Sequence, residues 1–318
     1  MEFLESTGSR KRFPADGTAD GGKRMKQDEK ARGAMGRALH RNQWISPLLM
    51  TIPILLILAV FYFYPMFRMI PRSLETDAGT GLGNYIKIFA EPAYIESFGL
   101  TILIGLGAVA ITFIMGYPVA YLMANSKPRT QRFLMMLIMV SFWTSLMVRT
   151  YSWMVVLQKS GILNTMLLNV HIIDEPLTIL YTPAAIVIGT VHILLPYMIL
   201  PINSVLRGID PNLSWAARSM GASRFKAFWK IIFPLSIPGV SAGVLLVFVQ
   251  AIGFYVTPML LGGGKTMVAA TFIDKQMNTL ANWGLGSAFG IILTFVSVVF
   301  LLVYLKIFGT KSLKQGLF

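Results

Sequence analysis

The chain has 318 residues, of which 55% are apolar and only 13% are charged. This composition is typical of integral membrane proteins and excludes an ordinary soluble globular domain. Cysteine is absent, which excludes a disulfide framework and a thiolate metal site. The formal net charge of +14 would indicate nucleic-acid binding in a soluble protein. In a membrane protein the distribution of the basic residues is more informative than their sum, and we expect no nucleic-acid partner.

Six apolar stretches are each long enough to cross a hydrocarbon layer of about 30 Å as a helix of about 20 residues. In chain order they are Trp44–Phe67, Phe98–Met123, Phe133–Leu157, Leu180–Val205, Ile237–Leu261 and Leu285–Phe308. The sequence therefore predicts an all-α polytopic membrane protein with six transmembrane helices. A removable signal peptide is not expected, because the first 43 residues are polar and the first apolar run is too long.

The basic residues are distributed unequally between the two sides of these spans. Ten lie in the N-terminal tail, three in 124–132, five in 206–236 and three from Lys306 onward. The alternate segments 68–97, 158–179 and 262–284 hold three, one and two. Cytoplasmic segments of membrane proteins carry the excess of Lys and Arg, so both termini and residues 206–236 are predicted to be cytoplasmic.

Three regions follow from this pattern. Residues 1–43 mix charges of both signs with glycine and are predicted to be a disordered basic cytoplasmic tail, solvated and able to contact anionic membrane lipid. Residues 44–308 form the six-helix transmembrane domain, with a cytoplasmic loop at 206–236. Residues 309–318 form a short cytoplasmic tail. The longer outer loops, 68–97 and 158–179, are expected to hold short helices.

Small residues and prolines predict how the spans pack. The second span has small side chains at every fourth position: Ala108, Thr112, Gly116, Ala120 and Ala124. On a helix this spacing makes a ridge that a neighbouring helix can approach closely. We expect Pro118 to kink this span, and we expect the fourth span, with Pro183 and Pro196, to end at Pro201. Pro258 lies near the end of the fifth span, and such helices suit a bundle around a cavity.

Motifs for nucleotide, cofactor or metal chemistry are not convincing. The stretch "LLGGGKTM" at Leu260–Met267 lacks the first glycine of a phosphate-binding loop, and "GLGAVA" at Gly105–Ala110 lies inside an apolar span. Histidines occur only at positions 40, 171 and 192, too scattered for a persuasive metal site. We therefore expect neither an enzyme activity nor a cofactor in this chain.

The stretch "DPNLSWAARSMGASRFKAFWKIIFP", Asp210–Pro234, predicts two short amphipathic helices joined by a glycine. Asp210 and Ser223 are good N-caps, and Gly221 supplies a left-handed stop between the helices. Pro234 and Pro238 are expected to break the path before the fifth span. From the residues alone, a helix pair lying on the lipid headgroups is as well supported as an element that docks a partner.

The same stretch resembles a motif in permease subunits of bacterial binding-protein-dependent ABC importers. Their cytoplasmic loop carries E-A-A-x3-G-x9-I-x-L-P, and here the spacing is complete, with Trp215 in place of the acid and Phe233 in place of the leucine. The resemblance implies that this element is a coupling helix pair that docks in an ATPase subunit. The coupling residues that it implies are Trp215, Ala216, Ala217, Met220, Gly221, Ala222, Ile231 and Pro234.

Several stretches are most similar to the spermidine/putrescine-type inner-membrane permeases. They are "FWTSLMVRTYSW" (Phe142–Trp153), "GILN" (Gly161–Asn164), "LPYMILPI" (Leu195–Ile202) and "LLGG" (Leu260–Gly263). The resemblance implies a permease in the bacterial inner membrane that takes a polyamine-class or amino-acid-derived solute. It implies a cytoplasmic ATPase dimer, a second permease subunit in a heterodimer and an external solute-binding protein as partners. An autonomous secondary carrier or channel is the alternative.

Polar and aromatic residues within the spans are candidates for the translocation pathway. They are Trp143, Arg149, Tyr151, Trp153, His192, Gln250, Phe254 and Tyr255. Arg149 also suits an interfacial anchor, His192 a packing histidine, and the two aromatics of the fifth span core packing. The similar permeases carry "GEFVIPELLGG" where this chain has "GFYVTPMLLGG", so Phe254 and Met259 replace acids, and the solute class stays open.

Overall fold

The computed structural model describes residues 51–76 and 79–306. The two predicted tails, 1–43 and 309–318, lie outside the described residues, as do the first residues of the first predicted span. The chain divides into two units, residues 1–67 and residues 68–318. Within the described residues, five helices are long and apolar enough to cross a membrane, and a bent pair makes a sixth span if it is counted as one. The predicted all-α polytopic architecture is confirmed.

The first helix, α1, is Thr51–Ser73 and continues beyond the predicted end of the first span. It includes a π turn at Ala59–Phe63, and the rings of Phe63 and Phe67 stack one turn apart with centroids separated by 6.4 Å. Two very short antiparallel strands follow, β1 (Glu75–Thr76) and β2 (Gly79–Thr80). They are a minor addition to the predicted helical fold.

Helices α2 (Gly83–Ala90) and α3 (Pro92–Asn125) come next. The predicted ridge of small residues on α3 is confirmed: Ala108, Thr112, Gly116 and Ala120 are buried. A Cβ atom built on Gly116 would lie 3.3 Å from side-chain atoms of both Ile199 and Met198 on the neighbouring helix α7 (Pro183–Gly208). Close approach of the two backbones therefore depends on the small residues that the sequence pattern indicated.

The third predicted span is not one straight helix, which corrects the expectation for Phe133–Leu157. Helix α4 (Pro128–Trp143) ends, and the segment that begins with α5 (Leu146–Leu157) turns away by 92°. Thr144 has extended backbone angles, and its hydroxyl donates to the Val140 carbonyl at 2.8 Å. The Thr144 amide donates to the same carbonyl at 3.2 Å, so both bonds close the last turn of α4. Helix α6 (Ile162–Asn169) then forms in the outer loop, where a short helix was expected.

Proline does not end the fourth span, and the expectation that it stops at Pro201 is wrong. Helix α7 begins at Pro183 and continues through Pro196 and Pro201 to Gly208. It lies between α3 and a later helix, α9 (Arg224–Gly253), and much of it is buried. Burial between these neighbours lets α7 continue although its two internal prolines lack a backbone amide.

Helix α9 corrects a second proline expectation. Its first residues belong to the predicted cytoplasmic pair, yet the helix continues past Pro234 and Pro238 into the membrane-spanning part. A π turn at Phe228–Ile232 precedes Pro234, and there the Phe233 amide donates to the Phe228 carbonyl. The wider turn changes the hydrogen-bond register just before Pro234, so the chain continues as one helix.

The fifth predicted span, Ile237–Leu261, is broken near its C-terminal end. Helix α9 ends at Gly253, Phe254 is extended, and a separate helix α10 (Val256–Gly262) follows. Helix α11 (Ala269–Asp274) is continued by a π turn at Lys275–Thr279, and α12 (Trp283–Tyr304) is the last helix described. The part predicted to face outward therefore contains most of the short elements.

Candidate functional site

The loop at residues 206–236 folds as predicted and begins with a capped helix. Helix α8 spans Pro211–Ser219, with proline at its first position. The Asp210 side chain accepts a hydrogen bond from the Asn212 amide at 2.9 Å, which satisfies one of the free amides at the helix start. The N-cap and the proline together hold the first turn in one conformation.

Gly221 ends this helix in a Schellman motif. Its φ angle is +88°, in the left-handed region that favours glycine. The Ala222 amide donates to the Ala217 carbonyl at 3.0 Å, and the Gly221 amide donates to the Arg218 carbonyl at 2.9 Å. These two bonds close the helix and turn the chain toward α9. We call residues 210–234 the coupling elbow.

The second half of the coupling elbow is the beginning of α9. The Ser223 hydroxyl accepts from the Lys226 amide at 3.3 Å and caps the helix as predicted. Because α9 runs on into the membrane-spanning part, no flexible linker separates the elbow from the bundle. A displacement applied to the elbow is therefore passed directly to a core helix.

The apolar side chains of the elbow are open to the surroundings. Trp215 is 69% exposed and Met220 is 82% exposed, whereas Ala217 is buried. A cavity of about 380 Å³ is lined by Trp215, Arg218 and Ser219. An exposed apolar and basic surface of this kind is typical of a docking site for another protein. Of the other implied coupling residues, Ala216 and Pro234 are exposed, and Ala222 and Ile231 are half-buried.

An aromatic cluster joins the elbow to the core, and the sequence reasoning did not include it. Phe228 makes edge contacts with Tyr117 and Tyr121 of α3, with ring centroids 5.9 and 5.4 Å apart. The Tyr117 hydroxyl shares a hydrogen bond of 2.9 Å with the Ser236 hydroxyl across the two helices. Phe228 falls within the motif spacing, but its partners on α3 are more than a hundred positions away in sequence and no local pattern marks them.

The pathway candidates of the third and fourth predicted spans lie around α5 and its contact with α7. The Trp153 indole donates to the Nδ1 atom of His192 at 3.2 Å, so this pair is a hydrogen-bonded contact between α5 and α7. Nε and Nη1 of Arg149 are buried and have no hydrogen-bond partner among the described residues. Trp143 is 85% exposed, at the bend after α4, and Tyr151 is also exposed.

The remaining candidates lie at the outer end of α9. Gln250 is exposed, and Phe254 packs against the main core. Tyr255 lies at the break between α9 and α10, close to the Asp274 carboxylate. The sequence analysis did not select Asp274, because hydropathy places it between predicted spans rather than within one. In the structure, Asp274 lies close to Tyr255 at the break between α9 and α10.

Side chains that could ligate a metal ion are scattered along the chain. Within residues 51–76 and 79–306, no group of three His, Asp or Glu side chains could hold a metal ion.

Comparisons with known proteins agree with this geometry. Residues 116–311 match a family described as the binding-protein-dependent transport system inner membrane component. The spermidine/putrescine transport system permease protein PotB of Escherichia coli (strain K12) is 35% identical over 254 residues, 78% of this chain and 92% of PotB. PotB of Haemophilus influenzae (strain ATCC 51907 / DSM 11121 / KW20 / Rd) is 36% identical over 258 residues, 80% of this chain and 87% of the relative.

A solved structure shares the fold. A bacterial ABC transporter involved in the import of the acidic polysaccharide alginate superposes with a TM-score of 0.69 at 16% identity, covering 84% of this chain and 96% of that one. At this identity the likeness concerns the fold alone. The family match covers more than half of the chain and agrees with the two sequence relatives. The chain therefore belongs to the binding-protein-dependent transport system inner membrane components, the multi-pass permease subunits of ABC importers.

Proposed function

We propose that this chain imports a polyamine-class solute as one permease subunit of an ATP-driven complex. In this proposal a cytoplasmic ATPase dimer grips the coupling elbow, a second and different permease completes the pathway, and an external binding protein delivers the solute. The spermidine/putrescine names of the relatives support the solute class, since two of them are at least 35% identical over most of the chain.

The observation that carries the coupling role is the continuity of the elbow with a core helix. The elbow is capped at both of its helix starts and closed by the Schellman motif at Gly221. A rigid element transmits displacement, whereas a flexible loop would absorb it. Closure of the ATPase dimer would therefore move α9, and α3 with it through Phe228 and Tyr117.

The decisive variant is Gly221→Val in the assembled complex. A β-branched residue in the left-handed region costs about 1–2 kcal/mol or more, and it would reshape the elbow without entering the membrane. We expect ATP hydrolysis to continue and uptake to fall at least tenfold, measured together in proteoliposomes that contain all subunits.

Gly208→Ala is the matched control, because Gly208 ends α7 near the same loop and a Cβ there meets no atom within 4 Å. Its uptake should equal that of the unmodified complex. Normal uptake by Gly221→Val in a correctly assembled complex would contradict the coupling role.

The solute class is tested separately by uptake of radiolabelled spermidine and putrescine. The same proteoliposomes, supplied with the external binding protein and internal ATP, should accumulate one or both. Accumulation without the ATPase subunit, driven by an ion gradient, would instead identify an autonomous carrier.

A further inference from the structure

A small cavity lies beside the break between α9 and α10. Its volume is about 130 Å³. The residues around it come from the break, from α10 and from the segment after it: Tyr255, Pro258, Met259, Gly264, Thr266, Met267, Thr271, Asp274 and Lys275. This volume fits an ammonium group with a few methylenes and is too small for a whole polyamine chain.

A carboxylate and an aromatic ring, two groups suited to binding an organic ammonium ion, line the cavity. The Asp274 carboxylate is half-buried and accepts a hydrogen bond 2.7 Å long from the Asn278 amide. It also interacts with the Tyr255 phenol, which lines the same cavity. A carboxylate forms charge-assisted hydrogen bonds to an ammonium, and an aromatic ring attracts a cation over its face. Both groups therefore favour the same ligand charge.

The broken helix adds a third contribution. Helix α9 ends at Gly253, next to Tyr255, and the C-terminal end of a helix carries partial negative charge on its free carbonyls. Broken membrane helices use such ends to hold cations in the pathway of transporters. The local field at this break therefore also favours a positive group.

We propose that Asp274 and Tyr255 form an outer subsite for one ammonium group of the transported solute. This inference rests on the proposed function. The stretch "GFYVTPMLLGG" contains no acidic residue, and Asp274 would supply the carboxylate instead. Met259 replaces an acid of the similar permeases, yet it lines the same cavity as Asp274. The carboxylate comes from a later segment of the chain and reaches the same place.

Lys275 is expected to weaken binding at the subsite, so a variant at this position should change the affinity in the opposite direction from a variant at Asp274. Its side chain is exposed and lines the same cavity, so its positive charge lowers the affinity for an ammonium group. Removing the Lys275 charge should strengthen binding of the solute, whereas removing the Asp274 charge should weaken it.

The experiment measures uptake kinetics of radiolabelled putrescine and spermidine in proteoliposomes of the complete complex. Asp274→Asn should raise KM about tenfold or more, because a charge-assisted contact is lost. Asp274→Glu should recover part of the loss, and Lys275→Gln should lower KM a few-fold. Asp174→Asn removes an exposed carboxylate from a different outer loop and should leave KM unchanged.

The outcomes separate the subsite from the proposed function. If the unmodified complex moves no polyamine, the proposed function fails and the subsite fails with it. If uptake is normal and KM is unchanged in Asp274→Asn, the subsite alone is overturned. Should Asp274→Asn not assemble, Lys275→Gln decides: a lowered KM supports the subsite, and an unchanged KM overturns it.

Discussion

The two ends of α9 differ in whether the helix is continuous. At the inner end the chain passes Pro234 and Pro238 without a break, because a π turn at Phe228–Ile232 changes the register before them. At the outer end, where no proline lies within the break, the helix stops at Gly253 and restarts at Val256. One end is mechanically continuous and the other is open.

Under the proposed function, this difference corresponds to two tasks. A continuous inner end passes force from the coupling elbow to the core, and it presents few polar groups to a solute. An open outer end leaves free carbonyls and admits Asp274, which suits contact with a cation but transmits force poorly. Variants at the inner end should therefore change coupling or stability, whereas variants at the outer end should change the affinity for solute.

The largest effect is expected where α9 seats against α7. A Cβ on Gly243 would lie 2.7 Å from the sulfur of Met198 and 3.2 Å from its backbone oxygen. Gly243→Leu should destabilise the permease by about 1–3 kcal/mol or prevent assembly, because the backbones cannot separate without loss of packing. Thermal unfolding in detergent measures this, with Gly253→Ala as the control, since a Cβ on Gly253 meets no atom within 4 Å. Equal melting temperatures would contradict tight seating of the inner half.

A smaller effect is expected at the exposed surface of the elbow. Trp215→Ala should change the free energy of unfolding by no more than about 0.5 kcal/mol, since the indole is exposed in this chain. In the complete complex it should lower uptake several-fold at unchanged KM, because the proposed contact with the ATPase would be lost. Trp215→Phe should retain most of the uptake. A raised KM with intact coupling would break the division of tasks between the two ends.

The smallest effect concerns the hydrogen bond between Tyr117 and Ser236. Tyr117→Phe should lower the free energy of unfolding by about 1 kcal/mol, because Ser236 still donates to the Phe233 carbonyl at 2.8 Å. Adding Ser236→Ala should cost less than the sum of the two single changes, as expected for groups in direct contact. Strict additivity in thermal unfolding would show that the pair does not tie α3 to α9.

Local features of the fold could be predicted from the sequence, and distant ones could not. The caps at Asp210 and Ser223 and the stop at Gly221 depend on hydrogen bonds within a few residues, so the pattern identifies them. The ridge of small residues on α3 could also be predicted, because helical spacing repeats along one element.

The errors all concern breaks. Proline at 201, 234 and 238 predicted helix ends that do not occur, because packing and a π turn accommodate the missing amides. The bend after Trp143 has no proline or glycine to announce it. Asp274 could not be placed near Tyr255 by hydropathy, since that contact depends on where α9 stops.

Trp215 has a consequence for the choice of ATPase. The motif that this stretch resembles has an acidic residue at this position, and an ATPase groove built to pair with that carboxylate would leave a buried cation without a counterion when it meets an indole. Under the proposed function, this permease should therefore pair poorly with an ATPase whose groove is built for that carboxylate. A single aromatic side chain at the elbow would then make this permease specific for its own ATPase.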